Sequence, residues 1–330
     1  MNVYARDNKK MLNMLILEIL KEYTDAEHRL THQEIIDLLK LNYGAECDRR
    51  SIRNNIRSLK DMGYEIATER GCYLAERDFD DAELRMLIDS VLFSKNLSGT
   101  QAKRLIEKLK GFGNRYFHAK VSHVSNLPEL FHSDNKQVML ALDVLNDAIE
   151  EKRKVSFIYN RYGTDFKLHS RRNEPYIVNP YQMVANNGRY YLIGNYDKYD
   201  DLSHYRIDRI TYITMLSEPV KSKKEVREFS KGWSLPKHMA EHIYMYSGDS
   251  VTVKFIADTD LMDELIDWFG MDIRIKEESE NKMLVTLKCN ERAMKYWALQ
   301  YGGHIEIKEP QSLRETVKVA ILDMAKKYTD

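Results

Sequence analysis

Residues 189 to 210 constrain the fold more than any other stretch of this chain. Arg189-Tyr-Tyr-Leu-Ile-Gly194 and Ser203-His-Tyr-Arg-Ile207 are apolar, strand-like runs joined by the polar turn Asp197-Lys-Tyr-Asp-Asp201. The same character spreads over residues 154 to 216, where Lys154 to Tyr159, Tyr176 to Val178 and Tyr181 to Val184 read as further short strands, with turns at Asn160 to Gly163 and Asn186 to Gly188. Strands this short, joined by turns this tight, fit a small and strongly bent barrel.

The N-terminal third has a different period. Leu12, Leu15, Ile16, Ile19 and Leu20 recur at spacings of three and four and predict a core helix over residues 9 to 23. Thr31-His-Gln-Glu34 has the form of a capping box, followed by Ile35, Leu38 and Leu39 as the buried stripe of a second helix. Asp48 is the expected N-cap of a third, whose inward positions are Ile52, Ile56, Leu59 and Met62. Gly63 to Ile66 closes that helix, and Ile66 to Leu74 reads as two short strands around a glycine-containing turn, the wing of a winged helix.

Charge distribution says more than its sum. The formal net charge is zero, yet residues 48 to 62 hold five basic side chains against two aspartates at their ends. With the apolar stripe inward, Arg49, Arg50, Ser51, Arg53, Asn54 and Arg57 face outward near the start of the helix, where a recognition helix contacts base edges and phosphates. Arginine pairs bidentately with guanine and asparagine with adenine. Arg70 at the wing tip adds a phosphate or minor-groove contact. The alternative is a solvated basic face.

The rest of the 330-residue chain divides readily. Leu84, Leu87, Ile88, Val91 and Leu92, then Leu105, Ile106 and Leu109, mark paired helices that either link and dimerise regulator domains or cover the first domain within the chain. Residues 110 to 133 read as an exposed connector carrying Arg115 and Lys120, and a helix at about 135 to 151 leads into the barrel. Behind a basic helical linker, residues 250 to 327 alternate strand, helix, strand, strand, helix, strand, helix, a split βαβ, ferredoxin-like layout with an added helix. The expected boundaries are 1–78, 79–133, 134–218, 219–249 and 250–330, and the class is α+β multidomain.

These motifs carry a resemblance. Tyr190-Tyr-Leu192 followed by His204-Tyr-Arg-Ile-Asp-Arg-Ile210 resembles the signature of bacterial WYL-domain regulators, whose second segment reads Phe/Tyr-Arg-x-Asp-Arg-Ile. Tyr190 replaces the tryptophan, keeping an aromatic face and losing the indole donor. Asp48 to Leu74 resembles the DNA-binding domain commonly fused to WYL domains; Arg49-Arg-Ser-Ile52 fits its pattern, while Asn54-Asn55 departs from it. The C-terminal layout resembles the extension behind many WYL domains, associated with dimerisation.

The resemblance implies a winged helix-turn-helix, an SH3- or Sm-like WYL barrel and a ferredoxin-like extension. It also implies an effector, a nucleotide or single-stranded nucleic acid, held by basic and aromatic positions: Tyr159, His169, Arg171, Tyr190, His204, Arg206 and Arg209. Guanidinium forks suit phosphate, and tyrosine and histidine rings suit stacking. Strand alternation puts Arg206 and Arg209 on opposite faces unless a bulge intervenes, and a second reading has Asp208 simply pairing a neighbouring arginine while the tyrosines pack the barrel. The expected protein is a homodimeric, cytoplasmic transcriptional regulator on double-stranded DNA, with no enzymatic activity, cofactor or metal. An accessory nucleic-acid-binding protein that modulates another machine, such as a defence effector, is the alternative.

Other function classes find little support. There is no apolar run near a membrane span, the N-terminus is charged, and Cys47, Cys72 and Cys289 are too dispersed for a disulfide or zinc framework. No Walker A loop or G-x-S-x-G elbow is present. His238-Met-Ala-Glu-His242 is an H-x-x-E-H, the inverted zinc-protease pattern, and makes zinc hydrolysis by His238, Glu241 and His242 a remote reading without an evident third ligand.

Overall fold

The computed structural model describes residues 11–120, 137–230 and 232–329. They fall into two compact units, 1–134 and 135–330.

In the first unit, three helices are built as their local sequence dictates: α1 (Leu12–Tyr23), α2 (His32–Tyr43) and α3 (Arg49–Asp61). Thr31 Oγ1 accepts from the Glu34 N–H while the Glu34 carboxylate accepts from the Thr31 N–H, and Asp48 Oδ1 accepts from the Ser51 N–H at 2.7 Å. Ile16, Ile19, Leu20, Ile35, Leu39 and Ile52 are fully buried between the three helices, each contributing roughly 1.5–3 kcal/mol. Met62 departs from the expected inward stripe. α3 ends at Asp61 and Gly63 turns the chain at φ +98°, so the Met62 side chain is 69% exposed.

A two-stranded hairpin follows, β1 (Ile66–Ala67) and β2 (Tyr73–Leu74), and Leu30 bridges to Cys72 beside it. Gly71 sits at φ +118° in its turn, and a Cβ there would lie 2.9 Å from the Arg29 Cβ. Gly71→Ala is expected to cost about 1–3 kcal/mol through left-handed strain alone, read as a lowered urea midpoint for the first unit.

Two capped helices, α4 (Asp81–Leu92) and α5 (Gly99–Lys110), pack through Leu84, Ile88 and Ile106. The expected connector begins instead with a short helix, α6 (Arg115–Lys120), which is strapped to the end of α1. Asn114 Nδ2 donates to the Thr24 carbonyl at 3.0 Å, and the Tyr116 ring stacks on His28 at 3.6 Å. Residues 121–133 of that connector lie outside the described residues.

The second unit opens with α7 (Val138–Glu150) and an antiparallel sheet of β3 (Arg153–Tyr162), β4 (Leu168–Ser170), β5 (Tyr176–Asn186), β6 (Arg189–Tyr196), β7 (Leu202–Arg206) and β8 (Ile210–Pro219). Its order is β8-β3-β5-β6-β7, with β4 on the far half of β3. The two runs expected at 176–178 and 181–184 are one strand with a bulge beside Pro180, which has no N–H to pair. The sheet is a half-barrel rather than a closed barrel: among the described residues no ladder joins β7 to β8, and a 3₁₀ turn at Ile207–Arg209 spans the gap. One face buries Phe157, Leu192 and Tyr205 against Val138, Ala141 and Leu145 of α7.

The other face receives the chain after β8. Val226, α8 (Arg227–Ser230) and α9 (Leu235–Glu241) lead across Tyr181, Ile193 and Leu202. Then come β9 (Ser250–Asp258), α10 (Met262–Phe269), β10 (Arg274–Ser279), β11 (Lys282–Asn290), α11 (Glu291–Gln300), β12 (Ile305–Glu309) and α12 (Gln311–Lys326). The sheet order β10-β11-β9-β12, antiparallel throughout, is that of a split βαβ unit, closed over Phe255, Val285 and Trp297. Cys72 and Cys289 are buried, Cys47 is half-buried, and all three are free thiols. Among the described residues no helix is long and apolar enough to cross a membrane.

Candidate functional site

The outer face of α3 is polar and exposed. Arg49, Arg50, Arg53, Asn54 and Arg57 are exposed, and Ser51 is half-buried at the first turn. Arg49 Nη2 donates to Gln33 Oε1 at 3.2 Å. Arg50 feels the N-cap carboxylate of Asp48, while Arg53 and Arg57 form no ion pair among the described residues. Arg70 is exposed at the hairpin tip with φ +58°. Guanidiniums left without internal partners retain their full capacity for an outside anion.

On the half-barrel, Asp208 organises the arginines. Its carboxylate, 1% exposed, accepts from Arg206 Nε at 3.0 Å and Nη2 at 2.6 Å, and from Arg189 Nη1 at 3.1 Å. The pairing of Asp208 with neighbouring arginines is thus a fact of the fold. Burial works against the charge on Arg206, but the hydrogen bonds and charge of Asp208 outweigh it and raise its pKa. For Arg189, burial and then the charge of Arg206 prevail, and its pKa is lowered.

The strand does not run on past Arg206: Ile207–Arg209 form a 3₁₀ turn. Arg209 ends that turn, and it, Arg171 and Arg206 all lie within electrostatic range of the Tyr159 phenol. Asn160 Nδ2 pins that turn by donating to the Arg209 carbonyl at 3.0 Å. The Arg206 N–H donates to Tyr159 Oη at 3.0 Å, and the Arg171 guanidinium lies 4.8 Å above the Tyr159 ring. Arg209 Nε is buried with no hydrogen-bond partner among the described residues. Burial raises the phenol pKa of both Tyr159 and Tyr191.

The remaining expected effector residues are elsewhere. His169 sits in the β3–β4 hairpin, its Nε2 2.9 Å from Asp165 Oδ1, and Tyr190 is 39% exposed on β6. His204 turns toward α9, where its Nε2 is 2.7 Å from His238 Nε2. Arg189 and Tyr191 were absent from the expected set, although register reveals Tyr191: it lies directly opposite Arg206.

The H-x-x-E-H segment forms α9 and its end, with His238, Glu241 and His242 buried. Glu241 is drawn to Lys288 Nζ at 3.2 Å, and among the described residues no group of three or more histidine, cysteine or acidic side chains is placed to hold a metal ion.

Residues 141–215 match the WYL domain, and residues 248–325 match the WCX domain. This is a WYL-domain protein. The WYL match spans α7 through most of β8 and includes Arg189, Arg206, Asp208 and Arg209; the WCX match spans β9 to α12. Over 97% of its length the WYL-domain chain is 21% identical to the "Uncharacterized HTH-type transcriptional regulator YobV" of Bacillus subtilis (strain 168), covering 98% of that protein. Among solved structures it is similar to proteasome accessory factor B/C (PafBC) of Arthrobacter aurescens, at 15% identity and a TM-score of 0.30. That match covers 98% of the WYL-domain chain and 49% of the PafBC chain, so the chain spans about half of PafBC's length. A CRISPR Cas-related protein matches at 15% identity and a TM-score of 0.40, with 77% and 75% of the two chains covered.

Proposed function

We infer that the chain is a transcriptional regulator that reads duplex DNA with α3 and the β1–β2 hairpin and senses an anionic effector on its WYL domain. The observation that carries the first half is the exposed Arg50, Arg53, Asn54 and Arg57 face of α3, which has donors suited to guanine, adenine and phosphate and among the described residues spends none on an internal ion pair. YobV is an HTH-type regulator by name, and its similarity runs through the N-terminal unit as well.

The effector half rests on Arg189 and Arg206, held by the Asp208 carboxylate beside Tyr191, and on Arg171 and Arg209 close to Tyr159. Fixed cations beside aromatic faces suit a nucleotide or a short single strand. For the effector to regulate, it must bind one arrangement of the protein better than another, since equal affinity shifts nothing.

Selection and sequencing of genomic fragments bound at about 150 mM salt tests the reading, because salt of that order strips weak phosphate-only binding. Enrichment of a motif with two half-sites one helical turn apart is the expected result for a homodimer. The same arginine group favours one other reading, an accessory protein whose main ligand is a single strand. Tighter binding to single strands than to any selected duplex, retained when Arg50 and Arg53 are both alanine, would replace the first reading with this one.

A further inference from the structure

Three histidines meet where the WYL sheet touches the chain that leaves it. His204 lies on β7, two residues before Arg206; His238 and His242 lie one turn apart on α9. The His238 and His242 rings stack at 4.0 Å, and the His204 ring lies 5.0 Å from the first and 5.3 Å from the second. Trp233 closes the far side, 4.4 Å from His238.

The nitrogens have little to neutralise a proton. His204 Nε2 and His238 Nε2 face each other at 2.7 Å, an arrangement that one hydrogen between two neutral rings satisfies and that two imidazoliums would break. Among the described residues His204 Nδ1 meets only the Ser247 hydroxyl, at 3.5 Å. His242 Nδ1 is 3.0 Å from the His238 carbonyl, and its Nε2 is 3.3 Å from the Gly248 carbonyl, which Asn290 also contacts.

The charged groups nearby are committed elsewhere. From α9, Glu241 pairs with Lys288 of β11; from α8, Glu228 accepts the Leu202 N–H and Arg227 reaches Asp249; from β7 and its turn, Arg206 is held by Asp208. Among the described residues no carboxylate comes within ion-pairing distance of the three rings. His28, His169 and His304, by contrast, each have an aspartate at 2.8, 2.9 and 3.0 Å. The stack is thus a histidine cluster built without a counter-ion.

We propose that the His204–His238–His242 stack is a proton-sensitive joint, fixing α9 on β7 when its rings are neutral and releasing it on acidification. Burial, and then the other histidines, lower the pKa of His238 to about 3 and that of His204 well below its ordinary value. The sign follows from these directions. The closed joint excludes protons that the open one binds with a pKa near 6.5, so closure is fully favoured above that value and is lost progressively as pH falls below it. Each such histidine raises the opening constant about tenfold for every pH unit below 6.5. Because α9 leads directly to β9, release would uncouple the effector face of the WYL sheet from the WCX domain.

Hydrogen exchange of the full chain between pH 7.5 and 5.5, corrected for the intrinsic rate, tests this on peptides covering Leu235–Glu241 and Leu202–Arg206. Loss of protection by at least about tenfold at the lower pH, reduced in both His204→Asn and His238→Asn, is expected. An unchanged wild-type ratio, or the same loss in both variants, overturns the proposal. Should the variants fail to fold, the ring signals of isotope-labelled histidine in the wild-type chain decide. Two rings that stay neutral down to pH 5.5 until the peptides open support the joint; ten rings that all titrate near 6.5 overturn it.

Discussion

Asp208→Ala is expected to lower the stability of the second unit by about 3–5 kcal/mol, the range for removing one partner of a buried, hydrogen-bonded ion pair. The carboxylate is 1% exposed and holds two guanidiniums with three hydrogen bonds, so its loss leaves Arg206 and Arg189 half-buried, side by side and uncompensated. Asp208→Asn keeps the shape and some of the bonds but not the charge, and should fall between the two. Urea denaturation followed by two probes, one in each unit, reads the effect. The transition of residues 135–330 should move to lower urea while that of 1–134 stays in place. A shift worth less than about 1 kcal/mol would mean that the arginines find water or other partners once the carboxylate is gone.

The second large effect is on DNA. Arg50→Ala combined with Arg53→Ala removes two exposed guanidiniums from the first half of α3, and neither side chain contributes to the buried core. At about 1–3 kcal/mol for each base contact, affinity for a selected operator should fall by about thirty- to thirty-thousand-fold at fixed salt, with no change in thermal stability. The salt slope distinguishes the roles: if both arginines contact phosphate, the slope of log K against log salt should shrink by about two per protomer, and if they read bases it should hardly change while specificity relaxes. Undiminished binding would move the DNA contact away from α3 altogether.

Local signals were legible in proportion to how local their physics is. The Thr31–Glu34 box and the Asp48 cap join residues three apart, and both are present as expected. The strand runs were visible for the same reason, since β6 and β7 are set by alternation and a tight turn. Met62 was misplaced because periodicity does not announce where a helix stops; Gly63 did, through its positive φ. Two strands, β4 and β8, carried too little apolar pattern to stand out, being exposed along much of their length.

The site was less legible because its contacts are long-range. The Arg189–Asp208 pair spans nineteen residues and the His204–His238 pair thirty-four. The opposite-face argument for Arg206 and Arg209 assumes a continuing strand, and three residues of 3₁₀ turn remove that assumption. The H-x-x-E-H pentapeptide is only a remote zinc reading in the sequence because no third ligand is evident nearby, and what its histidines and glutamate do contact, a third ring on β7 and a lysine on β11, lies on distant elements.

The arginine group has one further consequence, concerning competition rather than recognition. Two guanidiniums hold the Asp208 carboxylate and two more, Arg171 and Arg209, lie within electrostatic range of the neighbouring Tyr159, so the group carries a surplus of positive charge before any anion of the proposed kind arrives. Such a surplus recruits whatever small anions the surrounding solution offers, and an effector of the proposed kind would have to displace them. Sensing would then be an exchange of counter-ions: apparent affinity would depend on ambient phosphate and chloride as well as on effector concentration, and a dianion would hold the site against monovalent rivals better than its shape alone predicts.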